Sequence, residues 1–322
     1  MDGFDPKWKD LPDYILGITK EIWEDRGIAT LHRYYAPTLP VRSPASLVVG
    51  NANVVAATMA TLAEFPDRTL LGEDVIWCGD AQNGFLSSHR ILSQATHAHD
   101  GIYGKATGRR LTYRIIADCA CRDNKIYDEW LVRDQGAIVR QMGWEPKAHA
   151  ADLIAREGGP EACARPFTPA IDVDGGYRGD GNDVATGARY ADILTRIMGA
   201  DMAAIGKEYD RAAQLELPGG VTGHGAAAAD RFWMGLRAAF PSAAFAIRHR
   251  IGNEEAGMAP RAALRWSLDG RHDGWGAFGA PTGAPVHVMG ISHAEFGPRG
   301  LRREFVLIDE TAIWKQILLH SG

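Results

Sequence analysis

The chain reads as an α+β protein built from two tandem copies of one domain, and three observations lead there. First, the sequence matches itself when slid by 175 positions: Ile22 falls on Ile197, Tyr34 on Tyr209, Gly50 on Gly225, Phe65-Pro66 on Phe240-Pro241 and Gly104 on Gly279. The register continues through Thr107-Gly108 on Thr282-Gly283, Glu129 on Glu304, Asp134 on Asp309 and Gln141 on Gln316. A two-residue shift lays His99-Asp100-Gly101 on His272-Asp273-Gly274. Second, each copy begins with apolar residues at helical spacing and then changes to a period of two. Third, the stretch from Gly158 to Asp183 is rich in Gly, Pro and Asp, the composition of a connector. Domains are expected over 10–150 and 187–322, with a linker over 151–186.

In the first copy Ile15, Ile18, Ile22 and Trp23 recur at helical spacing, predicting an amphipathic helix from Tyr14 to Arg26 that stops near Gly27. A short helix over 28–35 is ended by Pro37. A third helix, capped by Asn51 or Asn53, carries Val54, Val55, Met59, Leu62 and Phe65 on one face and closes at Pro66. Strands are then expected over 70–78, 84–98, 111–121 and 125–134, with Asp123-Asn124 as the hairpin turn between the last two. Three helices followed by an antiparallel meander give a curved sheet wrapped around helices, a cone whose wide end suits a ligand.

With 35 basic and 40 acidic side chains, a net charge of −5 and 46% apolar residues, the composition is that of an ordinary globular protein. No basic stripe favours nucleic acid. No apolar run approaches the roughly 20 residues of a membrane span. The N-terminal residues lack the basic start and apolar core of a secretory signal, so a cytoplasmic location is expected. The four cysteines are too few to staple a chain of this length. Cys119 and Cys121 alternate in an apolar strand and read as small buried side chains.

Phe65-Pro66-Asp67, His99-Asp100-Gly101 with Gly104, Thr107-Gly108-Arg109, Arg122-Asp123-Asn124-Lys125-Ile126, Glu129-Trp130 and Gln141-Met142-Gly143 together resemble the SnoaL-like polyketide cyclases of the nuclear transport factor 2-like superfamily. The resemblance covers most of residues 10–143 and, more weakly, 187–318. It implies two tandem cones, each of three helices on a curved mixed or antiparallel sheet, with a small-molecule pocket inside. It also implies pairing through outer sheet faces, here an intramolecular pseudo-dimer, and leaves a further homodimer open. Alternation independently sets Trp130 and Val132, and Phe305 and Leu307, on the face that would meet the other copy. The resemblance further implies cofactor-free ring closure by an aspartate on the last strand. Leu131 and Val306 occupy that position here.

The candidate acid/base groups are therefore others. Glu129 and Glu304 have inward parity, and burial in an apolar cone would raise their pKa toward neutrality; alternatively Glu129 pairs with Arg133 or Arg114. Asp118 and its counterpart His293 lie on the neighbouring strand and could join them, unless Asp118 points outward. His99 and His272 sit at a turn or at the cone's mouth. Trp77, Tyr113 and Arg133 could bind a polar-aromatic or anionic ligand in the first copy, and Trp266 and His287 could line the second, which holds more histidine and looks slightly better equipped for chemistry. His287 and His293 lie about 20 Å apart at ~3.3 Å per residue, so no shared metal site, and no cofactor, is expected. The expected activity is cyclase, isomerase or lyase chemistry by proton transfer; the alternative is a binding protein of the same fold that leaves its ligand unchanged.

Overall fold

The computed structural model describes residues 1–321. Asp10 caps the first helix, α1 (Leu11–Thr19), by accepting from the Asp13 amide at 2.8 Å. The helix runs on into one π turn, Lys20–Glu24. Leu11, Tyr14, Ile15, Ile18 and Ile22 form its buried stripe. After α2 (Leu31–Tyr34) comes a short hairpin, β1 (Pro40–Ser43) and β2 (Ser46–Val49), which four-residue strands leave no alternation to reveal. Gly50, at φ +87°, starts α3 (Asn51–Glu64). Asn51 and Asn53 do not cap it; their amides donate to the carbonyls of Tyr35 and Val49.

The meander follows as β3 (Thr69–Asp80), β4 (Gly84–Thr96), β5 (Arg110–Arg122) and β6 (Lys125–Arg133). Asp123 and Asn124 both have positive φ, as a two-residue hairpin turn requires. Two helices outside the expected set close this half: α4 (Gln135–Met142), capped by Asp134, and α5 (Pro146–Arg156). The second half repeats the plan with α6 (Ala185–Met198), α7 (Ala203–Glu208), β7 (Tyr209–Leu217), β8 (Val221–His224), α8 (Gly225–Ala239), β9 (Ala244–Asn253), β10 (Arg261–Arg271), β11 (Pro285–Gly297), β12 (Gly300–Ile308) and α9 (Glu310–Ser321).

The strand orders are β2-β1-β6-β5-β4-β3 and β8-β7-β12-β11-β10-β9. Both sheets are mixed, because β1 runs parallel to β6 and β7 to β12. Equivalent strand pairs are separated by the same 175 positions: Ser88 pairs with Asp118 as Ala263 does with His293, and Cys119 with Glu129 as Ala294 does with Glu304. This corrects the two-residue shift. The counterpart of His272 is His97, not His99: His97 Nδ1 lies 3.1 Å from Thr107 Oγ1, and His272 Nδ1 lies 3.1 Å from Thr282 Oγ1.

The sheets pack outer face to outer face, burying Ile116 and Val132 with Ile291 and Leu307. Trp130 lies 3.5 Å beneath the Arg265 guanidinium, and Phe305 lies 3.5 Å beneath that of Arg90. The partners are again 175 positions apart, so one contact is made twice about a pseudo-two-fold axis. Arg42 covers the other side of Trp130 and pairs with Asp128 and Asp172. The connector is held over this junction: Tyr177 donates its amide to Asp128 and places its hydroxyl 2.7 Å from His249, and Gly181 bridges to Arg250. Among the described residues no helix is long and apolar enough to cross a membrane.

Candidate functional site

Side chains on the inner face of the first sheet lie in rows across the strands. Trp77, Ser87, Cys119 and Glu129 make one row; Val75, His89, Ala117 and Leu131 the next; then Gly72, Ile91, Ile115 and Arg133; then Leu70, Ser93 and Tyr113. Several members are small. The apolar packing on this face is correspondingly divided into two clusters. One lies under α1 around Tyr14, Tyr35 and Cys119; the other lies around Phe65, Tyr103 and Tyr113. Trp23 and Leu131 touch both and are only partly buried, as is Arg133. Solvent therefore reaches inward-facing side chains at the junction of the clusters.

Glu129, two positions from Leu131 on the same face and beside Tyr35 and Cys119 of the first cluster, is 6% exposed, with Oε2 sealed from solvent and without a hydrogen-bond partner among the described residues. Burial raises its carboxyl to about 7, against a hydrogen bond from Tyr35 that lowers it. Neither anticipated arginine neutralises it: Arg114 faces outward to Glu73 and Glu216, and Arg133 makes no ion pair among the described residues. The Tyr14 hydroxyl is likewise buried and unpartnered. His89, a residue the sequence reading passed over, also faces inward; its Nδ1 lies 3.4 Å from Ser87 Oγ, and burial lowers its pKa to about 4, keeping it neutral. Its signal was the alternation Ser87, His89, Ile91, Ser93 along one strand face.

Beyond Leu131 lies a cationic end. Arg68 is buried and donates from Nε to Ser93 Oγ at 3.4 Å; Arg133 has its Nε sealed and without a partner among the described residues. Between them stands Tyr113. Burial alone would raise its phenol, but Arg68 and then Arg133 outweigh burial and hold it below the ordinary tyrosine value. Trp77, partly buried, stands at the edge of the Glu129 row against Phe85.

The second cone has the same glutamate in different surroundings. Glu304 is fully buried, accepting from the hydroxyls of Tyr190 and Tyr209, each at 2.8 Å, and from Trp233 Nε1 at 3.4 Å. Burial raises its carboxyl to about 7, but both oxygens are occupied. Position by position, the polar lining of the first cone becomes apolar: Arg68, His89, Ser93, Tyr113 and Arg133 correspond to Ala243, Leu264, Leu268, Val288 and Ile308. Trp266 stands where the first cone has Ile91, and a Cβ on Gly290 would lie 2.2 Å from its indole. The interior forms one continuous apolar cluster. The expectation that the second copy is the better equipped is thus reversed, and Trp266 is core filling.

Five further expected site residues lie elsewhere. Asp118 shares the outer face with Trp130 and pairs at 3.3 Å with Arg265. Had the inward Cys119 and Cys121 been used to set parity, Asp118 between them would have read as outward. His293 is its outward counterpart: Arg90 donates to Nδ1 at 3.1 Å, so Nε2 carries the proton toward Ser88 Oγ at 2.9 Å. Burial and then Arg90 hold its pKa well below the ordinary value. His99 is exposed on the turn after β4, away from the cone interior. His287 is outward too, its Nδ1 2.5 Å from Asp269, in a cleft of about 430 Å³ shared with Thr168 of the connector and Gln316 of α9. His272 is buried beside Phe240, and its Nε2 lacks a partner because Ala239 stands where Glu64 receives His97 Nε2 at 3.1 Å in the first half. It is a turn residue. A second cleft, of about 380 Å³, is lined by Arg42, Asp128, Trp130 and connector residues. No group of three or more metal-binding side chains occurs among the described residues.

No family model matches this sequence, and no curated protein matches it. The fold is similar to solved structures of SnoaL-like polyketide cyclases and other proteins. IdmH from Streptomyces antibioticus is 22% identical and matches over 41% of this chain and 98% of its own, with a TM-score of 0.36. TsrD from Streptomyces laurentii is 17% identical over 42% and 98%, with a TM-score of 0.36. A SnoaL-like polyketide cyclase from Agrobacterium tumefaciens is 19% identical over 40% and 94%, with a TM-score of 0.31.

Proposed function

We propose that the first cone is the active site of a cofactor-independent enzyme acting on a small organic molecule by proton transfer, of the cyclase, isomerase or lyase kind, with Glu129 as the general base. The observation that carries this reading is the contrast between the two glutamates. Glu304 is saturated by three donors in one continuous apolar cluster, whereas Glu129 keeps a sealed oxygen without a partner among the described residues, two positions from the partly exposed Leu131. A carboxyl near pKa 7 is balanced to take a proton and return it at neutral pH. The buried Tyr14 and Tyr35 hydroxyls nearby could donate to an enolate oxygen as charge develops on it. The second half would serve as an intramolecular partner that covers the outer sheet face of the first.

The test is a thermal-shift screen of the whole protein against carboxylate, lactone, quinone and polyketide-like metabolites, followed by incubation of each hit with wild type, Glu129→Gln and Glu304→Gln. The expected outcome is a ligand altered by wild type and Glu304→Gln, and bound but unaltered by Glu129→Gln. Binding without turnover is the second reading, favoured by Leu131 standing where the resemblance puts the catalytic aspartate; it predicts hits recovered unchanged from all three proteins.

A further inference from the structure

We infer that the ligand of the first cone carries a carboxylate, or an equally compact anion, held by Arg68 and Arg133 at the end of the interior away from Glu129. This rests on the reading of the first cone as the ligand site and adds a substrate class to it. Arg68 and Arg133 both act on Tyr113 of the inner face, and neither has an ion-pair partner within 4.0 Å among the described residues. Arg68 has one long bond to Ser93 and lies by the Tyr113 phenol, and Arg133, whose Nε is sealed and has no partner among the described residues, lies by the phenols of Tyr103 and Tyr113. Asp309, at the start of α9, is the carboxylate that acts on Arg133, from beyond ion-pair distance. Burial and the neighbouring Arg133 both act against the Arg68 charge, so two guanidiniums facing one interior with no carboxylate in contact would be relieved by an anion between them. The second cone, which has Ala243 and Ile308 at these positions, demonstrates that the fold does not need them. A planar carboxylate accepts from guanidinium forks in a fixed orientation, and Tyr113 between the two arginines could complete the set.

The spacing sets the ligand's length. Arg133 and Glu129 are four residues apart on β6 with inward Leu131 between them, about 13 Å at ~3.3 Å per residue. The arginine side chain spans part of this, so a ligand that reaches from the anion site to Glu129 would be about as long as one or two fused rings. With the anion fixed at one end, the carbon that gives up its proton would lie against Glu129, and His89 and Leu131 would flank the rings.

The experiment compares 1-naphthoate with its neutral isostere 1-naphthamide by isothermal titration of the full-length protein. Wild type is expected to bind the carboxylate at least tenfold more tightly. The Arg68→Ala/Arg133→Ile double variant, which adopts the second cone's residues, should reduce that preference to within twofold. It should also melt higher than wild type without ligand, which separates lost recognition from lost folding. Arg133→Lys should keep part of the preference. Glu129→Gln should keep all of it, so a failure of the acid/base reading is distinguishable: naphthoate binding intact with no glutamate-dependent turnover in any screen. Equal affinity for the two probes, binding of neither, or a preference that survives the double substitution overturns the inference.

Discussion

Glu129 and Glu304 show how little a residue's identity decides. They share a register position, a burial and a pKa of about 7, yet one has three donors and the other an empty oxygen. The raised values carry a stability consequence. A carboxyl whose folded pKa lies above its ordinary 4.5 contributes stability that is complete below that value and lost as pH rises through 7. Wild type minus Glu304→Gln in urea unfolding free energy should therefore fall between pH 4.5 and 8, by on the order of 3 kcal/mol. A difference independent of pH would contradict the raised pKa. Inward parity for both glutamates was legible in the alternation from Glu129 to Arg133. Their partners were not, because Tyr190, Tyr209 and Trp233 come from elements whose approach to the sheet no local pattern encodes. Arg68, on a loop between helix and strand, had no periodicity to reveal it.

At the scale of elements, the helices and meander followed from periodicity, whereas the β1–β2 hairpin and the helices after β6 did not. The hairpin strands are too short to alternate. The interior of α9 mixes polar and apolar residues because it packs against α5 as well as the sheet. The outward turn of Asp118 and His293 makes the β4–β5 and β10–β11 pairs the polar centre of the junction. Asp118→Ala would leave Arg265 buried against Trp130 without its carboxylate. It should cost about 3 kcal/mol in denaturant unfolding, far more than an exposed ion pair. A loss under 1 kcal/mol would place that pair's energy elsewhere. In the second cone Gly290→Ala would drive a methyl into the Trp266 ring. A destabilisation of about 1–3 kcal/mol is expected from this overpacking, read as a lower urea midpoint. A neutral result would mean that the second interior has slack.

The whole molecule is a duplication in which one interior holds polar groups between two apolar clusters while the other is one cluster of indole, other aromatic and aliphatic side chains. The filled half has one continuous core and closes the outer face of its neighbour through the reciprocal Trp130–Arg265 and Phe305–Arg90 contacts. Residues 1–150 expressed alone should expose Trp130, Ile116 and Val132 and self-associate; a monodisperse monomer by light scattering would show that the outer face does not need a partner. The duplication itself was visible in the 175-residue repeat. The proposed division of roles between its halves was not, since it rests on which side chains partner each glutamate and on which aromatic rings fill the second interior. That division is tested most directly by exchange in D2O: wild type, Glu129→Gln and Glu304→Gln are incubated with a series of aryl β-keto acids and esters, and NMR follows deuterium entering the carbon next to the carbonyl. The account predicts enzyme-dependent exchange that falls at least 100-fold in Glu129→Gln and is unchanged in Glu304→Gln; exchange lost in Glu304→Gln and retained in Glu129→Gln would contradict it.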